Sequence, residues 1–361
     1  MSKEIINMLI ITLATGTFSA IVMIFIKKIA FLIKAVDIPR SDENNRHIHK
    51  KVIPKLGGVG IYLAFLFGYM LFGKYSHQMN SILIGSFIVI LTGIIDDIES
   101  IGWKKIIGQL ASALIVVFYG GLLLDKITAF GYIINFGVFS YPITIFFLLA
   151  CMNIINLIDG VDGLSGGVSS IFYLTMGIIC FMQGRFETLE MILCFIMLGS
   201  TLGFLIHNFY PASIFAGDCT TFMGYMIAII CLLGFKGAAL TSFFAPILIL
   251  AIPILDTLFA IIRRLLKKQP IFSADKDHIH YQLINMNFSQ RKTVLIIYFI
   301  NILFSIASIF YMLKNSLLSI VLYIILFIIV SWFVLHTNIL SNKIQSTTKK
   351  IEKAVKRKLK K

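Results

Sequence analysis

Apolar runs long enough to cross a bilayer recur along almost the whole of this chain. Windows of spanning length fall at roughly 5–27, 57–73, 80–95, 106–124, 140–158, 165–183, 188–206, 220–235, 239–262, 293–313 and 317–335. In hydrocarbon every backbone polar group must be satisfied inside its own segment, so runs of this kind fold as helices. Only 14 % of the 361 residues are charged and 58 % are hydrophobic, whereas a soluble domain carries roughly 25 % charged residues. The expectation is an all-α integral membrane protein with about 11 transmembrane helices. One polytopic domain would occupy 1–340 and a basic tail 341–361. Met8 to Ile26 is near-continuously apolar and no small-residue cleavage site follows it, which predicts a retained helix rather than a signal peptide.

The cations set an orientation. With the N-terminus outside, the inside segments hold 26 of the 32 Lys and Arg residues and the outside segments hold six. The positive-inside rule therefore predicts an N-out, C-in topology. The net charge of +15 is then a topology signal and not a nucleic-acid footprint. The tail KKIEKAVKRKLKK (349–361) is read either as lying against anionic lipid or as a solvated tail. The five cysteines are scattered without a CxxC pair, which argues against a disulfide framework or a zinc knuckle.

With that topology, every polar cluster of interest falls on the cytoplasmic side. The central one is NIINLIDGVDGLSGG (153–167), where Asn153, Asn156, Asp159 and Asp162 follow at three-residue intervals and glycines let the backbone turn. The others are HIHKKVIPKLGG (47–58), Asp96 and Asp97 with Lys104, Lys105 and Gln109, HNFYPASIFAGDCTT (207–221), and RRLLKKQPIFSADKDHIHYQL (263–283). Outside segments are short, and the longest, KITAFGYIINFGVF (126–139), alternates weakly as a small hairpin would. Clusters on one face argue for one active site there. A transporter needs polar groups near the midplane, commonly at discontinuous helices of paired repeats, and no such repeat is visible.

Adjacent carboxylates at the end of an uncharged helix repel one another, and burial raises their pKa values. A divalent cation relieves both problems. Hard oxygen donors such as Asp96, Asp97, Asp218, Asn156 and Asp159 suit Mg²⁺, which keeps several waters and completes its shell from a substrate phosphate. Lys105 has the reach to return over the carboxylates and pair with phosphate. Arg263 and Arg264 sit where helix-boundary arginines are common. His278 and His280 invite a metal reading, but nearby Asp275 and Asp277 favour hydration over a tetrahedral zinc site, and imidazole can donate to a diphosphate instead. His49 either does the same or caps its loop. These groups together fit phosphoryl-type transfer between a soluble nucleotide donor and a lipid acceptor.

At this point the motifs match a family. DD-(x)7-K-(x)3-Q, NxxNxxDGxDGL, PAxxFxGD and DxxHIH occur in that order, preceded by Asp37-Ile38-Pro39 and His49-(x)4-Pro54-Lys55-Leu56-Gly57-Gly58. The chain resembles the polyprenyl-phosphate N-acetylhexosamine-1-phosphate transferases across nearly its whole length. Pro54 to Gly58 looks like the N-acetylglucosamine branch more than the phospho-MurNAc-pentapeptide translocase branch.

The resemblance implies transfer of GlcNAc 1-phosphate from UDP-GlcNAc to undecaprenyl phosphate, with release of UMP, at the cytoplasmic face of a bacterial membrane. It implies that Asp96, Asp97 and Asp218 are catalytic and that Asp96 or Asp97 deprotonates the lipid phosphate. Asp218 and Asn156 would hold Mg²⁺, with Mn²⁺ as a substitute. Substrate contacts would come from Lys105, Asn153, Asp159, Asp162, Arg264, His278, His280 and His49. Implied partners are the UDP-N-acetylhexosamine, undecaprenyl phosphate and membrane lipids, with a homodimer as a further option and no nucleic acid. The family loop often reads His-x-His-His, whereas this chain has Tyr281 last. A CDP-alcohol phosphotransferase is disfavoured because Asp159-Gly160 is not followed by its AR signature.

Overall fold

The 16 residues Thr221–Lys236 form helix α8, and most of that span is enclosed by other helices. In the window Asp218–Phe235, 89 % of positions are buried, against 28 % in the N-terminal helix α1 (Ser2–Leu32). A helix that is apolar all round is covered either by other helices or by lipid, and of these two it is α8 that the other helices enclose. The computed structural model describes residues 2–38, 52–129, 132–236, 244–266, 268, 278–312 and 321–328.

The remaining helices in order are α2 (Gly57–Phe72), α3 (His77–Ile98), α4 (Lys105–Leu114), α5 (Ser140–Leu157), α6 (Leu164–Met182) and α7 (Leu189–Asn208). After α8 come α9 (Phe244–Ile249), α10 (Ala251–Leu266), α11 (Ile279–Asn285) and α12 (Gln290–Met312). Among the described residues, seven helical stretches are long and apolar enough to cross a membrane. The eleven windows do not all appear as single spans. Helix α2 is apolar but has 16 residues, about 24 Å at 1.5 Å per residue, short of the roughly 30 Å hydrocarbon core. Window 106–124 holds α4 and then one π-helical turn, Ile115–Tyr119. Window 239–262 is divided between α9 and α10. Of window 317–335, residues 321–328 are described, and they are helical.

Small residues let the helices approach. A Cβ on Gly199 or Gly203 of α7 would collide with the backbone carbonyls of Thr12 and Gly16 on α1. Ser19 Oγ donates across the same seam to Ser200 O at 2.7 Å. Tyrosines pin α8 from two sides: Tyr225 OH donates to Ile82 O of α3 at 3.0 Å, and Tyr173 OH of α6 donates to Met223 O at 2.8 Å.

Two small ribbons complete the fold. Strands β1 (Val36–Asp37) and β2 (Ile53–Pro54) pair antiparallel. Strands β3 (Lys126–Ala129) and β4 (Tyr132–Asn135) form the hairpin expected from the alternation. Beyond β2, the backbone of the PKLGG motif docks on the 213–217 loop: Phe215 N donates to Pro54 O (2.9 Å), Gly57 N to Phe215 O (2.8 Å) and Gly58 N to Ala216 O (3.1 Å). A Cβ on Gly58 would lie 2.5 Å from Cys219 Cβ, so the close approach needs glycine. This docking holds one wall of the site.

Candidate active site

A cleft of about 980 Å³ opens where the ends of α1, α3, α5 and α7 meet the start of α8. It is lined by Asp97, Asn156, Asp159, Asp162 and Asp218 together with Lys55. Four polar clusters far apart in sequence thus converge on one cavity. The α2–α3 and α6–α7 turns, joined by the Lys74–Glu187 ion pair (2.6 Å), contribute no lining residue.

The two adjacent carboxylates divide their work. Asp97 faces the cleft, and both its oxygens accept from Asp218 N at 3.0 Å. The carboxyl group therefore caps the start of the turn Asp218–Thr220 that leads into α8. Gly217 has φ +71°, and a Cβ there would collide with the Asp97 carboxylate. That is the physical reason for glycine before Asp218. Asp96 turns the other way. Its Oδ1 accepts from Ile101 N at 2.8 Å, and its Oδ2 is 3.1 Å from Lys105 Nζ. Asp96 does not line the cleft.

Lys105 Nζ also donates to Asp218 Oδ1 at 2.7 Å. Burial opposes the ammonium charge, but Asp218 and Asp96 outweigh it and raise its pKa above the ordinary lysine value. Asn156 Nδ2 lies 3.4 Å from the same Asp218 oxygen. Behind this centre, Asn153 Nδ2 donates to Gln109 Oε1 at 2.8 Å, which ties α5 to α4.

The DGVDG loop is tied down residue by residue. Asp159 accepts from Ser165 Oγ and, at 2.9 Å, from Thr220 Oγ1. Burial pushes its pKa up to about 6 despite both hydroxyl donors. Asp162 Oδ2 accepts from Ala212 N at 2.9 Å. Asn208 bridges the two loops, accepting from Gly163 N (3.0 Å) and donating to Ile214 O (2.9 Å).

The HIH motif is anchored by a residue the motif reading passed over. Asp256 of α10 accepts from Ile279 N at 2.8 Å and sits 3.1 Å from His278 Nδ1. His280 Nδ1 is 4.0 Å from the same carboxylate. The His280 ring abuts Gly160, where a Cβ would lie 2.6 Å from Nε2. Burial pushes the His280 pKa down to about 4, against the pull of Asp256. Neither His278 nor His280 lines the cleft, whereas Tyr281 does. Arg264 is buried near the end of α10 and is not a lining residue. His49, Asp275 and Asp277 lie outside the described residues.

Five carboxylic side chains line the cleft, those of Asp37, Asp97, Asp159, Asp162 and Asp218, against one lining lysine, Lys55, while Lys105 reaches Asp218 from beside it. No group of three His, Cys, Asp or Glu side chains among the described residues forms a closed metal cage. Mg²⁺ is commonly held by one or two carboxylates and takes waters and substrate phosphates for the rest. Asp218 and Asn156 both carry oxygens on the cleft wall, but here Asp218 Oδ1 is taken by Lys105 Nζ and faces Asn156 Nδ2, so a metal would have to be met by the other carboxylate oxygen and the amide oxygen.

Residues 79–235 match the family model described as Glycosyl transferase family 4. The chain is 39 % identical over 340 residues to the "Probable undecaprenyl-phosphate N-acetylglucosaminyl 1-phosphate transferase" of Bacillus subtilis (strain 168), spanning 92 % of both chains. This chain belongs to glycosyl transferase family 4. A second relative, the "Undecaprenyl-phosphate alpha-N-acetylglucosaminyl 1-phosphate transferase" of Escherichia coli (strain K12), is 29 % identical over 294 residues, 78 % of this chain and 77 % of its own. The "Decaprenyl-phosphate N-acetylglucosaminephosphotransferase" of Mycobacterium leprae (strain TN) is 29 % identical over 300 residues, 74 % of each chain.

Within this family 4 site, sequence reasoning passed over Asp256 as an anchor and Asp37, Lys55 and Tyr210 as cleft walls. Asp256 carried a signal: it is a lone carboxylate in the apolar run AIPILDTLFAII, a placement that demands a partner. Lys55 and Asp37 stood inside the motifs without a function assigned to their side chains.

Proposed function

We propose that this chain transfers N-acetylglucosamine 1-phosphate from UDP-GlcNAc to undecaprenyl phosphate, giving undecaprenyl-diphosphate-GlcNAc and UMP. The observation that carries this reading is the 39 % identity to the Bacillus subtilis relative across 92 % of both chains. The cleft supports it, because carboxylates and a lysine meet there at helix ends beside a membrane-sized apolar bundle.

In this reading an oxygen of the lipid phosphate attacks the donor phosphorus that bears the sugar, and the bond to the UMP oxygen breaks. Asp97 is the proton acceptor for the attacking phosphate, since it faces the cleft and Asp96 does not. Asp96 holds the 98–105 turn and orients Lys105. Lys105 neutralises phosphate charge from beside Asp218. Asp218 and Asn156 would hold Mg²⁺, which when bound supplies further neutralisation of the diphosphate. Asp159, Asp162 and Asn153 shape the nucleotide side through their ties to Thr220, Ala212 and Gln109. His278 and His280 act through Asp256, bringing Tyr281 to the cleft. Arg264 and His49 are assigned to the donor's phosphates and sugar on the family pattern.

The same reading sets the chain in a bacterial cytoplasmic membrane, N-terminus out and C-terminus in, with eleven crossings in all and the cleft facing the cytoplasm. The polytopic unit would run to about residue 340 and the basic tail lie beyond it. The product would enter synthesis of a cell-envelope glycopolymer.

The test is UMP release by purified protein in detergent with undecaprenyl phosphate, Mg²⁺ and either UDP-GlcNAc or UDP-GalNAc. UMP formed from UDP-GlcNAc only when lipid and metal are both present is the expected result. Release from UDP-GalNAc alone, or none from folded protein, overturns it.

A further inference from the structure

Lys27 is held in a cluster that the catalytic reading does not use. It lies in the last turns of α1, and its Nζ donates to Ser213 Oγ at 2.6 Å and to His207 Nδ1 at 2.9 Å. His207 Nε2 is 2.9 Å from Ala20 O, an atom that only accepts, so Nε2 carries the ring proton and Nδ1 is free to accept. Ser213 Oγ in turn donates to His207 O at 2.9 Å.

Three features point to an anion. First, a lysine near the end of a transmembrane helix ordinarily extends toward water. Lys27 instead turns sideways onto α7 and the 209–217 loop. Second, its partners are a hydroxyl and an imidazole nitrogen, and no carboxylate among the described residues pairs with it. An ammonium has three donors, and these contacts use two. Third, the cluster borders both the lipid and the cleft. Ser213 lines the cleft, as does Phe31, one helical turn beyond Lys27. Around it, Ile24 and Phe31 of α1 and Leu202 and Ile206 of α7 present exposed apolar side chains. A lipid lying against the α1–α7 seam would have its tail on these residues and its headgroup at Lys27.

We propose that Lys27, with Ser213 and His207, forms a subsite for the phosphate of a membrane lipid at the lateral edge of the cleft. The lipid substrate of the proposed reaction is one source of that phosphate, and an anionic phospholipid headgroup is the other. The subsite rests on the proposed function for the identity of the first lipid only.

The experiment measures lipid retention by native mass spectrometry on the detergent-purified full chain, with undecaprenyl phosphate, undecaprenol and phosphatidylglycerol offered separately. Wild type, Lys27→Met and Lys27→Arg are compared, with unfolding temperatures as a check on folding; Lys27→Gln replaces the Met variant if that one is not folded. The expected result is that Lys27→Met weakens binding of a phosphate-bearing lipid about tenfold, near 1.4 kcal/mol, while undecaprenol is retained as before and Lys27→Arg keeps most of the binding. Loss confined to undecaprenyl phosphate assigns the subsite to the carrier, and loss confined to phosphatidylglycerol assigns it to a headgroup. An unchanged preference for phosphate over alcohol in the Met and Gln variants overturns the proposal, as does an equal loss in the Arg variant. No donor sugar is present, so this result and the UMP assay fail independently.

Discussion

Lys105 Nζ bridges Asp218 Oδ1 at 2.7 Å and Asp96 Oδ2 at 3.1 Å. One cation thus links the end of α3 to the turn that begins α8, and leaves Asp97 as the member of the adjacent pair that faces the cleft.

Removing that bridge leaves two carboxylates close together without their cation. Lys105→Met is expected to lower UMP release by about 100-fold, in the range typical for losing one preorganised electrostatic partner. Lys105→Arg should recover only part of it, because a planar fork does not replace a point charge between two acids. Turnover within twofold of wild type for Lys105→Met would remove this residue from the centre.

Gly217 and Asp97 form a steric pair. Gly217→Ala adds a methyl that collides with the Asp97 carboxylate at a backbone φ of +71°. The strain is expected to cost about 1–3 kcal/mol. Thermal unfolding in detergent should show a lowered midpoint, with UMP release falling alongside. Asp97→Asn should abolish turnover while leaving more of the folded protein than Gly217→Ala does, and an active Asp97→Asn protein would contradict its placement as proton acceptor.

His280 gives a pH dependence with a definite sign. Its folded pKa of about 4 lies below the ordinary histidine value of 6.5, so folding disfavours the charged ring. Its contribution to stability is fully present above pH 6.5 and is lost as pH falls toward 4. The complete shift corresponds to a loss on the order of 3 kcal/mol. Unfolding midpoints at pH 7 and pH 5 should differ in wild type and differ less in His280→Gln. Equal slopes in the two proteins would count against the assignment.

Asp256 positions the HIH segment without touching the cleft. Asp256→Ala removes the acceptor for Ile279 N and the partner of His278. The KM for UDP-GlcNAc is expected to rise about tenfold or more, the usual loss when a hydrogen-bonded support is withdrawn. Asp256→Asn, which keeps an acceptor oxygen, should lose less. A fall in kcat with KM unchanged in both variants would instead assign Asp256 a part in the chemical step.

The membrane class of this chain and the residues around its site were legible in the sequence. Charges are so sparse in this apolar background that Asp96, Asp97, Asp159, Asp162 and Asp218 stand out one by one, and local period identifies helices, turns and the 126–135 hairpin. Spacing carries no information about which side of a helix end faces a cavity. The difference between Asp96 and Asp97, the Gln109–Asn153 bond and the role of Asp256 were therefore decided only by how the helices pack in three dimensions. The burial of His278 and His280, with Tyr281 reaching the cleft in their place, has the same origin. The partners in these contacts lie tens of residues apart or more, and their meeting depends on how closely glycines such as Gly58 and Gly217 let one backbone approach another element.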